Sequence, residues 1–326
     1  MFSRATLALA LTLLGGLGAA VSQTQAQQYP SRPIRLLVPL AAGGLGDTFA
    51  RTVSLHFSQR LGQPVVVENR PGANQVIALE MTARAAPDGY TILQSTQAGV
   101  VFASALRKNL PYDPLKDFTQ IGLLFTTPFY LLVHPSVPAK NLQELIALAK
   151  SQPRKLNFAS IGIGSGHHLG MELLMLRTGM EMVHVPYKGS DRAMPDMYSG
   201  RVQVMFQGPT SSLPAIKTGK LRALGISGPE RNRAVPDVPT IAEQGVPGFQ
   251  MDTWFGLTGP AGLPRPVVNR LNAEADHMLR APEVIEKFAA SYLEFIPSTP
   301  EQMTERVRND IPLWTKVVQQ VGIEPE

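Results

Sequence analysis

Two short glycine-rich turns hold the residues whose types and spacing best suit chemistry. The first, Pro39-Leu40-Ala41-Ala42-Gly43-Gly44-Leu45-Gly46-Asp47-Thr48, follows the apolar run Ile34-Arg35-Leu36-Leu37-Val38 and leads into a helix-like segment. The second, Ile161-Gly162-Ile163-Gly164-Ser165-Gly166, runs into His167 and His168 in the same way. Glycine accepts positive φ and puts no side chain between backbone and ligand. A helix start leaves N–H groups without intrahelical partners, and these favour an anion. Each turn therefore suits a carboxylate held by main chain rather than by lysine or arginine. Asp47 or Thr48 is expected near the first helix N-cap, where a side-chain oxygen meets early N–H groups. The first turn alone also fits a tight strand-to-helix connection with no ligand, a reading that the second turn weakens. Two of them facing each other would suit a dianion.

Other chemistries find little support. Neither turn has the G-x-G-x-x-G spacing of a dinucleotide site, and no Gly-Lys-Ser/Thr makes a P-loop. No glycines flank a serine at the spacing of a nucleophile elbow. Ser165 beside His167 and His168 permits a Ser/His hydrolase reading, but adjacent residues entering a helix point in different directions. Adjacent histidines are poor metal spacing, no H-E-x-x-H occurs, and no carboxylate pair stands out for acid–base work. The expectation is a binding protein with no cofactor and no metal.

The elements that must place these turns alternate in type. Strands are predicted at 34–39, 65–68, 91–94, 121–125, 130–133, 156–159, 182–185, 202–206 and 223–226. Helices are predicted at 47–61, closed by Gly62, and at 75–85, 142–151 with Asn141 or the preceding residues as cap, 167–178, 191–198 and 213–218. After a strand near Trp254, further helices are expected at 267–280, 282–290 and 301–321. Such alternation indicates α/β units on a mostly parallel sheet. Two similar units, each with a glycine turn feeding a helix, suggest two lobes, and the late strand suits a return to the first.

The chain of 326 residues carries a formal net charge of +5. Met1 to Ala26 has a single charge, Arg4, then an apolar core of 16 residues and a small-residue stretch ending Thr24-Gln25-Ala26. These are the regions of a secretory signal, and the apolar core is shorter than the roughly 20 residues a membrane span needs. Cleavage is expected near Ala26, with Ala20 as a second candidate. There is no cysteine, which excludes disulfides, zinc–thiolate sites, cysteine nucleophiles and a lipid anchor at this segment. Basic residues are spread, with no long block of like charge, so nucleic acid is not an expected partner.

A set of ordered motifs then carries a family likeness. They are Tyr29-Pro30-Ser31-Arg32-Pro33-Ile34, Val67-Glu68-Asn69-Arg70-Pro71-Gly72-Ala73, Ala86-Pro87-Asp88-Gly89-Tyr90 and Leu110-Pro111-Tyr112-Asp113-Pro114. Further on stand Val183-His184-Val185-Pro186-Tyr187-Lys188-Gly189, Gly219-Lys220-Leu221-Arg222-Ala223-Leu224, Val235-Pro236-Asp237-Val238-Pro239-Thr240 and Trp254-Phe255-Gly256-Leu257. Across the whole mature chain, the sequence resembles the Bug family, the exported substrate-binding proteins of tripartite tricarboxylate transporters.

The resemblance implies a two-lobed type II periplasmic-binding-protein fold, a "Venus flytrap", with residues 27–126 and 252–326 in one lobe and 127–251 in the other. It implies a periplasmic monomer that holds a small carboxylate between the lobes and serves membrane permease subunits. A ligand sensor of the same fold is the alternative. The loops implied in binding supply Ala42, Gly43, Gly44, Leu45 and Asp47 on one side and Gly164, Ser165, Gly166 and His168 on the other. Gln207 and Gly208 follow a third strand, and Gln97 and Tyr187 are further cleft candidates. The chain departs from the family pattern in three places. Ala41 and Ala42 replace two prolines, Ser165-Gly166 replaces a Thr-Ser pair, and neutral Gln207 stands where many members have an aspartate suited to an ammonium. The expected ligand is therefore a di- or aromatic carboxylate without an amine.

Overall fold

A computed structural model describes residues 29–291 and 293–325. The expected signal segment lies outside the described residues. The strands are β1 (Ile34–Val38), β2 (Val65–Asn69), β3 (Thr91–Thr96), β4 (Phe118–Pro128), β5 (Tyr130–Val133), β6 (Asn157–Ser160), β7 (Val183–Pro186), β8 (Val204–Gln207), β9 (Arg222–Ile226), β10 (Asp252–Pro260) and β11 (Glu294–Phe295). They form two sheets, ordered β11-β4-β10-β3-β1-β2 and β7-β6-β8-β5-β9. The fold is thus α/β and two-lobed. Each sheet is mixed rather than mostly parallel. Three strands run parallel in each (β2-β1-β3 and β7-β6-β8), while β10, β4 and β11 in one and β5 and β9 in the other pair antiparallel. The antiparallel strands include those by which the chain passes between sheets.

The helices are α1 (Leu45–Leu61), α2 (Val76–Ala83), α3 (Ala103–Leu106), α4 (Leu142–Ser151), α5 (Gly166–Thr178), α6 (Ser190–Tyr198), α7 (Pro209–Lys217), α8 (Arg265–Leu279), α9 (Pro282–Phe288) and α10 (Pro300–Gln320). Local chemistry sets their ends. Gly62 closes α1 in the left-handed region, Asn141 caps α4 by accepting the Glu144 N–H, and Thr299 with Gln302 forms a capping box on α10. A wide-turned π-helical segment, Ala98–Phe102, precedes α3; neither was expected from the sequence. No described helix is long and apolar enough to cross a membrane.

The chain passes between sheets at Phe129 and again at Met251, where β4 gives way to β5 and where the segment after β9 reaches β10. Buried Ser227 ties the two crossings together. Its N–H donates to the Phe129 carbonyl at 2.8 Å, its Oγ accepts the Phe129 N–H at 2.8 Å and donates to the Met251 carbonyl, and its carbonyl accepts the Met251 N–H at 3.0 Å. Helix α10 clamps the second crossing. Arg306 pairs with Asp252 at 2.6 Å and with Asp310 at 2.9 Å, and Asp310 also accepts the Trp254 indole N–H at 2.9 Å. Burial pushes the Asp252 carboxyl up, and the Arg306 guanidinium opposes that push. Removing one partner of a buried pair strands the other charge without solvation. Arg306→Ala is therefore expected to lower unfolding free energy by about 3 kcal/mol, read as a shifted midpoint in urea denaturation.

Candidate functional site

The two glycine turns occupy equivalent places. Strands β1 and β6 are the middle strands of matching parallel trios, and each turn leaves the carboxyl end of its strand to start a helix. That edge is where ligands bind in open α/β sheets. The match extends to single residues. Gly43 and Gly164 have φ of +89° and +74°, Gly44 and Ser165 are the N-caps, and α1 and α5 begin at the next residue. In each turn the positive-φ glycine donates its N–H to the side chain four residues on: Gly43 to Asp47 Oδ2 at 2.9 Å, Gly164 to His168 Nδ1 at 3.1 Å.

That equivalence corrects the expected roles of Asp47 and His168. Asp47 stands at the third helical position, with Gly44 as the N-cap, and its carboxylate is spent on its own loop. It also takes the Arg51 guanidinium at 3.0 Å and the Asn69 amide at 2.9 Å, and Arg51 and the Gly43 N–H hold its pKa down to about 2. The first turn therefore already holds a buried negative charge at its helix N-terminus. In the second turn a neutral acceptor does the same job. Because His168 Nδ1 accepts the Gly164 N–H, its proton is on Nε2, 3.4 Å from Glu172. Ser165 Oγ donates to the Gly162 carbonyl at 2.7 Å and accepts the His168 N–H at 3.3 Å. Both side chains are thus committed to the backbone of the turn, an arrangement that does not prime Ser165 as a nucleophile.

A cavity of about 400 Å³ lies at the second turn. Gly162, Gly164, Ser165, Gly166 and His167 line one side, together with Phe129 and Thr253 at the crossings. The other wall comes from the first sheet's loops: Asn74 and Gln75 after β2, and Ala98, Phe102, Leu106 and Arg107 after β3. Leu106 reaches across, so that a Cβ added to Gly164 would stand 2.4 Å from its Cδ1. The amides of Gly166 and His167 precede the first intrahelical bond, Leu169 to Ser165, and have no protein acceptor among the described residues. Of the ionisable side chains on the lining, His167 is buried, and burial pushes its pKa down to about 4. Arg107 is the cation, and the lining includes neither aspartate nor glutamate.

Three expected site residues stand behind this surface. Gln207 is buried; its Oε1 accepts from Gly208 N–H at 2.8 Å and from His167 Nε2 at 3.2 Å, and its Nε2 donates to Ser190 at 3.0 Å. Since a backbone N–H needs an acceptor, Gly208 fixes the amide orientation, and that in turn places the proton of His167 on Nε2. Tyr187 donates to Asp196 at 2.8 Å, and burial and this carboxylate push its pKa up to about 12. Its backbone borders Gly162, while its ring packs with the second sheet's core.

Gln97 is not on the lining of this cavity. Its side chain is buried under α10 and donates to Asp310 at 3.2 Å, away from the cavity. The residue alternation that makes it follow β3 says nothing about which side its side chain enters. Ala42, Gly43 and Gly44 are exposed, with open space over both glycines; Leu45 is half-buried at the start of α1. This loop emerges from β1, between β2 and β3, but is not on the cavity lining. The wall residues Asn74, Gln75, Ala98, Phe102, Leu106 and Arg107 were missed. One feature marks that wall in the backbone: Ala73, Asn74 and Gln75 all have positive φ, of 45°, 51° and 77°. Three such residues in a row store strain of the kind found at ligand-binding positions.

Residues 49–323 match the family model described as "Tripartite tricarboxylate transporter family receptor". Among curated proteins, BugT of Bordetella pertussis is 37% identical over 308 residues, covering 94% of each chain. Among solved structures, Rpa4515 of R. palustris, solved with adipate, is 32% identical with a TM-score of 0.77, covering 91% of this chain and all of that one. MatC (Rpa3494) from Rhodopseudomonas palustris, with bound malate, is 34% identical with a TM-score of 0.72, covering 89% of this chain and 100% of its own.

Two outcomes follow from the turn geometry. Gly164→Ala places a Cβ in the left-handed region and against Leu106, whereas Gly43→Ala meets only the backbone cost. Both variants should lose about 1–2 kcal/mol, with Gly164→Ala the worse in urea denaturation and improved by adding Leu106→Ala. The second concerns pH. His167 has a folded pKa of about 4 against an ordinary 6.5, so below 6.5 the unfolded chain binds a proton that the folded chain does not. Its stabilising contribution is full above pH 6.5 and is lost as pH falls through about 4. The loss amounts to about 3 kcal/mol at most. Denaturation midpoints measured from pH 7 to 4 should fall less steeply in His167→Gln.

Proposed function

Because the chain belongs to the tripartite tricarboxylate transporter receptor family, we propose that it is a periplasmic solute-binding protein that captures a small carboxylate lacking an amine. The observation that carries this reading is the cavity at the second turn. Its lining has Arg107 as a cation, the open amides of Gly166 and His167, a neutral imidazole and no carboxylate. An anion meets donors there, while an ammonium would meet no counter-charge. Phe102, Leu106 and Phe129 offer the body of the ligand an apolar surface, which suits an aliphatic or aromatic carboxylate. The adipate and malate of the two solved relatives are of the same chemical class.

In this reading residues 1–26 are a secretion signal, residues 27–126 with 252–326 form one lobe, and residues 127–251 form the other. Ligand favours the closed arrangement by the extra contacts it makes when Ala42, Gly43, Gly44 and Leu45 approach from the first lobe. Gln207 acts at one remove, by holding the proton of His167 on Nε2. The closed monomer then presents the carboxylate to the membrane permease subunits.

The test is a thermal-shift and calorimetric series on the purified chain with aliphatic di- and monocarboxylates, aromatic carboxylates, glutamate and neutral sugars. A ligand at 100 times its Kd stabilises the folded state by about 2.7 kcal/mol. Carboxylates without an amine should give the largest shifts. A glutamate shift exceeding them all would remove the argument from the missing counter-charge, and silence from every carboxylate would remove the reading itself.

A further inference from the structure

We propose that Arg107 is a specificity residue that reads the far acidic group of a dicarboxylate ligand. The proposal rests on the carboxylate reading above and goes further, because it assigns the far end of the ligand. Three observations carry it.

The first is charge. Several arginines are paired with carboxylates: Arg51 with Asp47, Arg60 with Glu274, Arg306 with Asp252 and Asp310. Arg107 makes no ion pair among the described residues; its guanidinium donates to a backbone carbonyl, that of Ala73, at 3.2 Å. A guanidinium has five donors, so most of its hydrogen-bonding capacity remains for a ligand.

The second is position. Arg107 directly follows α3 on the wall contributed by the first sheet, and its chain neighbour Leu106 already touches the second turn at Gly164. The open amides of Gly166 and His167 lie on the opposite wall of the same cavity. A diacid therefore finds one set of donors on each lobe, with apolar surface between them. A monoacid finds only one.

The third is pre-orientation. The bond from Arg107 goes to Ala73, the first of the three consecutive positive-φ residues. This contact holds the strained turn and the guanidinium in one arrangement before ligand arrives, which lowers the ordering cost of binding. A planar fork presented in this way matches a carboxylate bidentately, and lysine does not reproduce it.

The experiment uses calorimetry on the wild-type chain, R107Q and R107K with two probes of equal length, adipate and hexanoate. The wild type should bind adipate at least about 10-fold tighter than hexanoate. R107Q should lose about 10-fold or more in adipate affinity and less than about 3-fold in hexanoate affinity, with R107K between them. Equal losses for both probes would overturn the proposal, because they would mean that Arg107 only shapes the turn at Ala73. An unchanged adipate affinity in R107Q would overturn it too. Unliganded melting temperatures report whether the variants fold; if R107Q does not, R107K and the wild-type adipate-to-hexanoate ratio decide. A wild type that binds hexanoate as well as adipate sinks this proposal alone, while one that binds no carboxylate sinks the functional reading beneath it.

Discussion

The rest of the structure depends on how two lengths of chain pass side by side between the sheets. A crossing segment cannot satisfy its backbone within a sheet, so its polar groups need other partners. Ser227 meets that need with one residue, bonding to Phe129 on one crossing and to Met251 on the other through main chain and hydroxyl together. Immediately beyond, Asp252 pairs with Pro128 in register and is held by Arg306 from α10. The crossings are thus a tied bundle rather than two loose tethers. Residues on either side of it, such as Phe129 and Thr253, line the cavity at its base.

Above that base the matching turns have diverged in charge while keeping their geometry. Both solve the same problem: a positive-φ glycine at the end of a parallel strand has an N–H that faces away from the sheet and needs an acceptor. Asp47 supplies one that is ionised and supported by Arg51 and Asn69. His168 supplies one that is neutral, stacked on His184 with ring centroids 3.8 Å apart. A helix N-terminus that already holds an anion attracts a second less strongly than an empty one. The second turn is therefore the one that would attract an anion more strongly, although the two backbones follow the same path.

Much of this architecture was legible in the residues. The Asn141 cap, the Gly62 stop and the strand–turn–helix order at both glycine turns depend on neighbours within a few positions, and pattern reading sees those. The α/β alternation placed eight of the eleven described strands within two residues of their observed ends; β4 runs three residues further at each end, β10 was expected only as a strand near Trp254, and β11 was not expected. The roles of single polar residues were less legible, since they depend on partners far along the chain. Asn69 lies 22 residues from Asp47, and Asp310 lies 213 residues from Gln97; those contacts engage the side chains of two expected cleft residues within the protein. The wall from Ala98 to Arg107 escaped notice for a different reason. Its Ala-Gly-Val-Val-Phe run has neither helical spacing nor a cap, and it winds with the wider π turn that such patterns do not announce.

The fixed tautomer of His167 has a consequence for the surroundings in which this cavity works. Burial holds the His167 pKa down to about 4, so its ring stays uncharged until that acidity. Simple carboxylic acids gain a proton at about the same acidity, near pH 4. On gentle acidification neither cavity nor ligand changes its charge, and on stronger acidification both do so together. In the proposed reading, the contact with a carboxylate is insensitive to mild acid and weakens in stronger acid because the solute, not the protein, loses its negative charge.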